Sequence, residues 1–172
     1  MEALCTQLRA DVAEIIEEWD QLAKHAAWLG IPREHRIDSL PDVLERLLAI
    51  VPCTLNDLED RHRAMVLIAS EHGALRREQN CSESVIFTEH ALLRRVVSQR
   101  IDDSGRKTDT CLSTVLRFDI ALGVATNAAL LGYHRREFAA LGSWPTVLDP
   151  LTDDSPVLTL CRRLAENPQA AA

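Results

Sequence analysis

Aromatic residues are scarce, at 4 % of a 172-residue chain that is 47 % hydrophobic. A core with so few rings is filled mainly by Leu, Ala, Val and Ile, a composition that suits helices, and the length fits one domain. Basic residues are in the minority as well. Lys and Arg total 19 against 26 acidic residues, a net charge of −7. The chain therefore lacks the positive footprint of a nucleic-acid binder and is not drawn to anionic membranes. No apolar run approaches the ~20 residues that span a bilayer, and the opening MEALCTQLRADVAEIIEEW has neither the basic nor the apolar region of a signal peptide. A cytoplasmic protein is expected. Cys5, Cys53, Cys81, Cys111 and Cys161 are scattered and include no C-x-x-C pair. Zinc-finger spacing and a dense disulfide framework are thereby excluded, and the cysteines read as reduced thiols, mostly small core fillers. A nucleophile elbow, a P-loop and a dinucleotide fingerprint are all missing, which leaves the common enzyme classes without a foothold.

What is present is helical periodicity. Over residues 2–28, Leu4, Leu8, Val12, Ile15, Ile16, Trp19, Leu22 and Ala26 recur at three- and four-residue steps, predicting one long amphipathic helix ended by Gly30 and Pro32. The polar stretch 33–39 reads as a connection, followed by a short helix over 41–50 with Pro41 in its first turn. Thr54 is a candidate N-cap, with Asp57 three residues on, for a third helix reaching about residue 79. Ser82 is a candidate cap for a fourth, carrying Val85, Ile86, Leu92, Leu93, Val96, Val97 and Ile101. Residues 102–107, with Ser104 and Gly105, form the next turn. The fifth helix starts near Thr108, is expected to run to about residue 140, and is the longest. Past Gly142 come Pro145, Pro150 and Pro156, one short helical stretch over 157–165 and an Ala-rich end. The expected organisation is a helical bundle over 1–142 and a Pro-rich segment over 143–172, with disorder expected at its end.

Polar residues interrupt the apolar stripes at informative places. His72 falls between Ile68 and Leu75, and His90 between Ile86 and Leu93. Glu89 lies in the row Val85, Leu92, Val96, and Asp119 in the row Leu112, Leu116, Leu122, Thr126, Tyr133. A buried carboxylate without a partner costs several kcal/mol. A polar layer is therefore expected between the third, fourth and fifth helices, with Glu89 meeting Arg76 and Asp119 meeting Arg94 or Arg95. On this reading the imidazoles are hydrogen-bonded core groups, and Trp19 and Trp28 are core or interface anchors.

The segment EHGALRREQNCSESVIFTEHALLRRVV, residues 71–97, resembles the N-terminal domain of RsbR-type stressosome proteins and of many bacterial sensor histidine kinases, the RsbRD-like sensory domain. The matching positions are His72, Gly73, Arg76, Glu89, Leu93, Arg94 and Arg95. IIEEW at 15–19 is similar to the family's opening helix, and RFDIALGVATNAALLGY at 117–133 to its closing helix. The resemblance covers roughly residues 5–138. It implies an all-α, globin-like bundle of about five main helices that lacks haem, forms homodimers and feeds a signal into an output module. No kinase or sulphate-transporter-type output domain follows Tyr133, so the chain is either a sensor cut from a longer protein or a free-standing regulator.

The expected function is a non-catalytic sensory or regulatory input domain without a cofactor, relaying a small-molecule or partner-protein signal through helix packing. Rival readings use other chemistry. A di-iron bundle needs two Glu-x-x-His pairs, of which Glu59 and His62 supply one. A haem- or metal-binding sensor would use His72 or His90. A phosphotransfer domain needs an exposed histidine, whereas His72-Gly73 lies on an apolar face.

Overall fold

Leu4, Cys5 and Leu8 lie on one side of the first nine-residue helix, and Ile15, Ile16, Trp19, Asp20 and Ala23 on one side of the next, and all are buried. These are α1 (Glu2–Ala10) and α2 (Val12–Ala23), so the single long helix expected over 2–28 is interrupted. Asp11 sits at φ −93°, ψ 10°, in the sparsely occupied region between helix and strand. The backbone ladder continues on both sides, from Asp11 N–H to Gln7 O and from Ile15 N–H to Asp11 O. The axis can thus bend while nearly all its hydrogen bonds survive. The bend lets α1 lie on α4 and α2 lie across α6.

The computed structural model describes residues 1–24, 31–53 and 55–135, with the side chains of 55–59 outside that description. Trp28, the Thr54 cap, the side chain of Glu59, Cys161 and the whole 143–172 segment therefore lie outside the described residues. Within them the chain is an all-α bundle with no strand. The stretch expected to be a mere connection contains a short helix, α3 (Arg33–Ile37). It leads into α4 (Leu40–Ile50), and three long helices follow: α5 (Leu55–Glu78), α6 (Ser84–Asp103) and α7 (Thr108–Tyr133). The first helix counted as one broken unit, these make the five main helices expected, with the last the longest.

Local chemistry explains the stops. Asn80 has φ +57°, the left-handed conformation that asparagine tolerates, and Cys81 N–H turns back to Arg76 O at 2.9 Å, closing the end of α5. Gly105, at φ +64°, makes the turn between α6 and α7. Ser82 does not cap α6: its hydroxyl meets Ser84 Oγ at 2.7 Å, and Glu83 holds the cap position without a side-chain bond.

The tightest packing is between α5 and α7, and it explains why the buried face of α7 differs from the expected one. A Cβ placed on Gly73 would lie 1.8 Å from Ala129 O, and one on Gly132 would lie 1.8 Å from Ser70 O. The two backbones thus touch reciprocally, at a distance where Cα–H groups face carbonyl oxygens. Only small residues allow this where the backbones touch, and α7 buries Thr114, Phe118, Ala121, Leu122, Ala125, Ala128, Ala129, Gly132 and Tyr133, with glycine or alanine at the points of contact. The larger Leu112 and Leu116 turn outward and are exposed, as are Leu67 and Phe87. By length and composition α7 is apolar enough to cross a membrane: an 18-residue window has a mean hydropathy of 1.4, and 39 % of it is buried inside the bundle. The expectation that no stretch reaches that length therefore does not hold. α7 draws that hydropathy from its leucines, its valines and Ile120 as well as its alanines, in spite of the charges at Arg117 and Asp119.

A buried charge network joining four elements

Arginine 76 occupies the centre of a polar core. α5 carries His72 and Arg76 one turn apart, so both face inward, and α6 presents Glu89 and His90 as neighbours against them. Arg76, Glu89 and His72 are each 0 % exposed. Arg76 Nε donates to Glu89 Oε1 at 2.8 Å, and His72 Nε2 lies 3.1 Å from Glu89 Oε2. The rest of the guanidinium reaches back to the corner between α3 and α4. Its NH1 donates to His35 O at 2.8 Å and to Asp38 Oδ2 at 3.0 Å, and its NH2 donates to Arg36 O at 2.8 Å. Arg76 thereby satisfies carbonyls at the end of α3, as a cation at a helix C-terminus should.

The same corner holds His72 from its other side. His72 Nδ1 is 2.9 Å from Ser39 Oγ, and Ser39 Oγ is 3.0 Å from Asp38 Oδ1. Gln79 Nε2 donates to Asp38 Oδ2 at 2.8 Å, and Trp19 Nε1 donates to the Glu89 carbonyl at 3.1 Å. A second buried pair abuts the first: Asp20, 0 % exposed, accepts from Arg36 NH2 at 2.7 Å and from Arg33 Nε at 3.1 Å. Burial raises the Asp20 carboxyl, but the bonds from Arg36 and Arg33 outweigh it and hold the group below the usual carboxylate range. Asp38 follows the same balance: burial raises it, and the Arg76 charge, the Ser39 N–H and Gln79 bring it down further.

His90 is stacked on His72, with ring centroids 6.0 Å apart and planes 16° from parallel. Its proton can be placed. Thr126 donates its hydroxyl to Leu122 O at 2.8 Å, so Thr126 Oγ1, 2.7 Å from His90 Nδ1, must accept there. His90 is thus the Nδ1–H tautomer, and its Nε2 lone pair is buried without a hydrogen-bond partner. Burial first, then the charges of His72, Arg76 and Arg94, push it down to about 3. His90 also lines a groove of about 330 Å³ between α6 and α7, with Phe87, Arg94, Gly123, Thr126 and Asn127.

Of the expected site residues, His72, Arg76, Glu89 and His90 come together. The Glu89–Arg76 contact is present, and the layer draws its remaining charged member, Asp38, from the α3–α4 corner, while α7 contributes the Thr126 hydroxyl to His90. Asp119 does not belong to it. It pairs with Arg94 at 2.7 Å on the surface, with side chains 39 % and 49 % exposed, because the face of α7 that carries it turns outward with Leu112 and Leu116. Arg95 is exposed. Asp20, Arg36, Asp38 and Ser39 were not anticipated. Asp20 was detectable by the rule that found Glu89, since it interrupts the Ile16, Trp19, Ala23 face of α2. Asp38 and Ser39 carry no periodic signal. His62 is buried with neither ring nitrogen hydrogen-bonded, and burial pushes it down. No group of three His, Cys, Asp or Glu side chains among the described residues is arranged to hold a metal. Of the described cysteines, Cys5, Cys53 and Cys81 are buried and Cys111 partly so, with no disulfide among the described residues. Burial pushes the Cys5 thiol up to about 11, which makes it a poor nucleophile.

Comparison with family models, with curated proteins and with solved structures found no match for this chain.

Proposed function

We propose that the chain is a non-catalytic, cytoplasmic input domain of the RsbRD-like kind, a globin-like bundle that dimerises and relays a ligand or partner signal in a bacterial two-component or stress-signalling pathway. One observation carries the reading: His72, Arg76 and Glu89, three positions of the resembling segment, are spent on one another and on the α3–α4 corner. Charged groups bonded in this way act as struts. They set the packing of α2, α5, α6 and the corner, and an input that binds one of two such arrangements better would select it.

The dimer face we infer is the outer side of α6 and α7. Leu112, Leu116, Asp119 and Gly123 recur along α7 at steps of four, three and four, and Phe87 and Arg94 flank them on α6. A Cβ on Gly123 would meet no atom within 4 Å. A helical glycine costs ~1 kcal/mol relative to alanine, and no contact among the described residues requires one there. The close approach of a helix from a second copy would. Sedimentation at tens of micromolar tests this: a dimer is expected, and Leu116→Glu should give a helical monomer. A monomeric wild-type protein overturns the dimer.

A haem- or metal-binding sensor draws support from the unpartnered Nε2 of His90, the nitrogen that ligates iron when Nδ1–H is held elsewhere. His72 is less suited, since both its nitrogens are engaged. A Soret band on haem addition that is lost in His90→Ala would favour this reading.

A further inference from the structure

Protons in the core can be counted from its hydrogen bonds. The carboxylates of Asp38 and Glu89 only accept. Ser39 has one hydroxyl proton and lies within bonding distance of two groups, Asp38 Oδ1 at 3.0 Å and His72 Nδ1 at 2.9 Å. If the proton goes to Asp38, Ser39 Oγ must accept from His72 Nδ1–H. His72 Nε2, 3.1 Å from Glu89 Oε2, must donate as well. All three contacts then carry a proton, and the ring has two. If His72 is neutral, Ser39 has to donate to the ring, and its oxygen faces Asp38 Oδ1 with nothing between them.

Charge balance points the same way. Arg76 and His72 as cations offset Glu89 and Asp38 as anions, whereas a neutral His72 leaves one excess negative charge beside the wholly buried Glu89, with Asp38 22 % exposed. Uncompensated charge in such surroundings is costly. The groups facing His72 are Glu89 and His90 from α6, Arg76 from its own helix and Asp38, through Ser39, from the corner. His90 does not compete for the proton, since its Nδ1–H is committed to Thr126 and its Nε2 is bare.

We propose that the Asp38–Ser39–His72–Glu89 chain is a proton-binding switch: the folded domain holds His72 doubly protonated, and loss of its Nδ1 proton releases the α3–α4 corner. On deprotonation the Ser39 hydroxyl turns from Asp38 to the bare Nδ1, so Asp38 keeps Arg76, Gln79 and the Ser39 N–H but loses one donor. The cluster then carries a net negative charge, and the corner is its solvent side, with the Asp38 side chain 22 % exposed against 0 % for Arg76. The proton that leaves passes to water. The inference supplies an input for the sensory reading and stands apart from it. A monomer in solution would overturn the dimer and leave the protonation result intact.

Imidazole nitrogen NMR on the full chain tests the proposal at neutral pH. Two protonated nitrogens are expected for His72, against one protonated and one bare for His90. In Ser39→Ala, which leaves the Arg76–Glu89 pair untouched, His72 should drop to one protonated nitrogen. Amide exchange at residues 35–43, corrected for intrinsic rates, should rise as the wild-type protein is made alkaline, and by less in Ser39→Ala. One bare His72 nitrogen in the wild-type protein overturns the proposal, as does an unchanged ring in Ser39→Ala.

Discussion

Acidification should unfold this bundle earlier than its carboxylates alone would require, and His90 is the reason. In the unfolded chain an imidazole titrates near pH ~6.5, whereas in the fold burial and the neighbouring cations push His90 down to about 3. The unfolded state therefore binds a proton that the folded state refuses. Stability from this group is complete above the unfolded value and is lost as pH falls toward the folded one. The loss amounts to ~1.4 kcal/mol per pH unit once below ~6.5, or roughly 2 kcal/mol between pH ~6 and ~4.5 and ~5 kcal/mol in all. Asp20 and Asp38 are held low by their arginines and act in the same direction, but only below their own unfolded values near pH ~4. The range above pH ~4.5 thus isolates the histidines. His90→Asn keeps an N–H donor near Thr126 and removes the titration, while His62, also held low, stays common to both proteins. Urea unfolding followed by circular dichroism at successive pH values should show the wild type losing stability more steeply than His90→Asn, by roughly 2 kcal/mol across the window. Parallel profiles would refute the burial argument.

The remaining perturbations separate structural claims in the same way. Gly73→Ala puts a methyl into the Ala129 carbonyl, where only helix separation can relieve the clash, so a loss of ~3 kcal/mol or more is expected in chemical denaturation. Arg76→Met leaves Glu89 to His72 and uncaps α3, which should cost ~3–5 kcal/mol in chemical denaturation. A loss below ~1 kcal/mol would contradict the pairing. Asp119→Ala breaks only an exposed pair and should change stability by less than ~1 kcal/mol. A larger loss would place Asp119 inside the core after all.

The helices themselves were legible in the sequence, because three- and four-residue spacing of apolar side chains is a local property of the chain. So were their ends at Asn80 and Gly105, where the residue type matches the left-handed backbone. His72, His90 and Glu89 were found as polar interruptions of apolar faces, since a stripe reports which side is inward even when one member is charged. The same pattern misled on α7. There the inward side is chosen by how closely α5 approaches at Gly73 and Gly132, and closeness favours alanine and glycine over the leucines that dominate a hydropathy count.

Partnership was decided by tertiary structure alone. Asp38 and Ser39 lie more than thirty positions from His72 and Arg76, on a short polar stretch with no periodic signature. Their role exists only because the bundle closes that corner over the open side of the polar core. Sequence could state that a buried Glu89 needs a cation, because the cost of an unpaired charge is a property of the residue. It could not state that Arg76 would also bind the end of α3, because that depends on where the folded chain places backbone carbonyls that every residue carries alike.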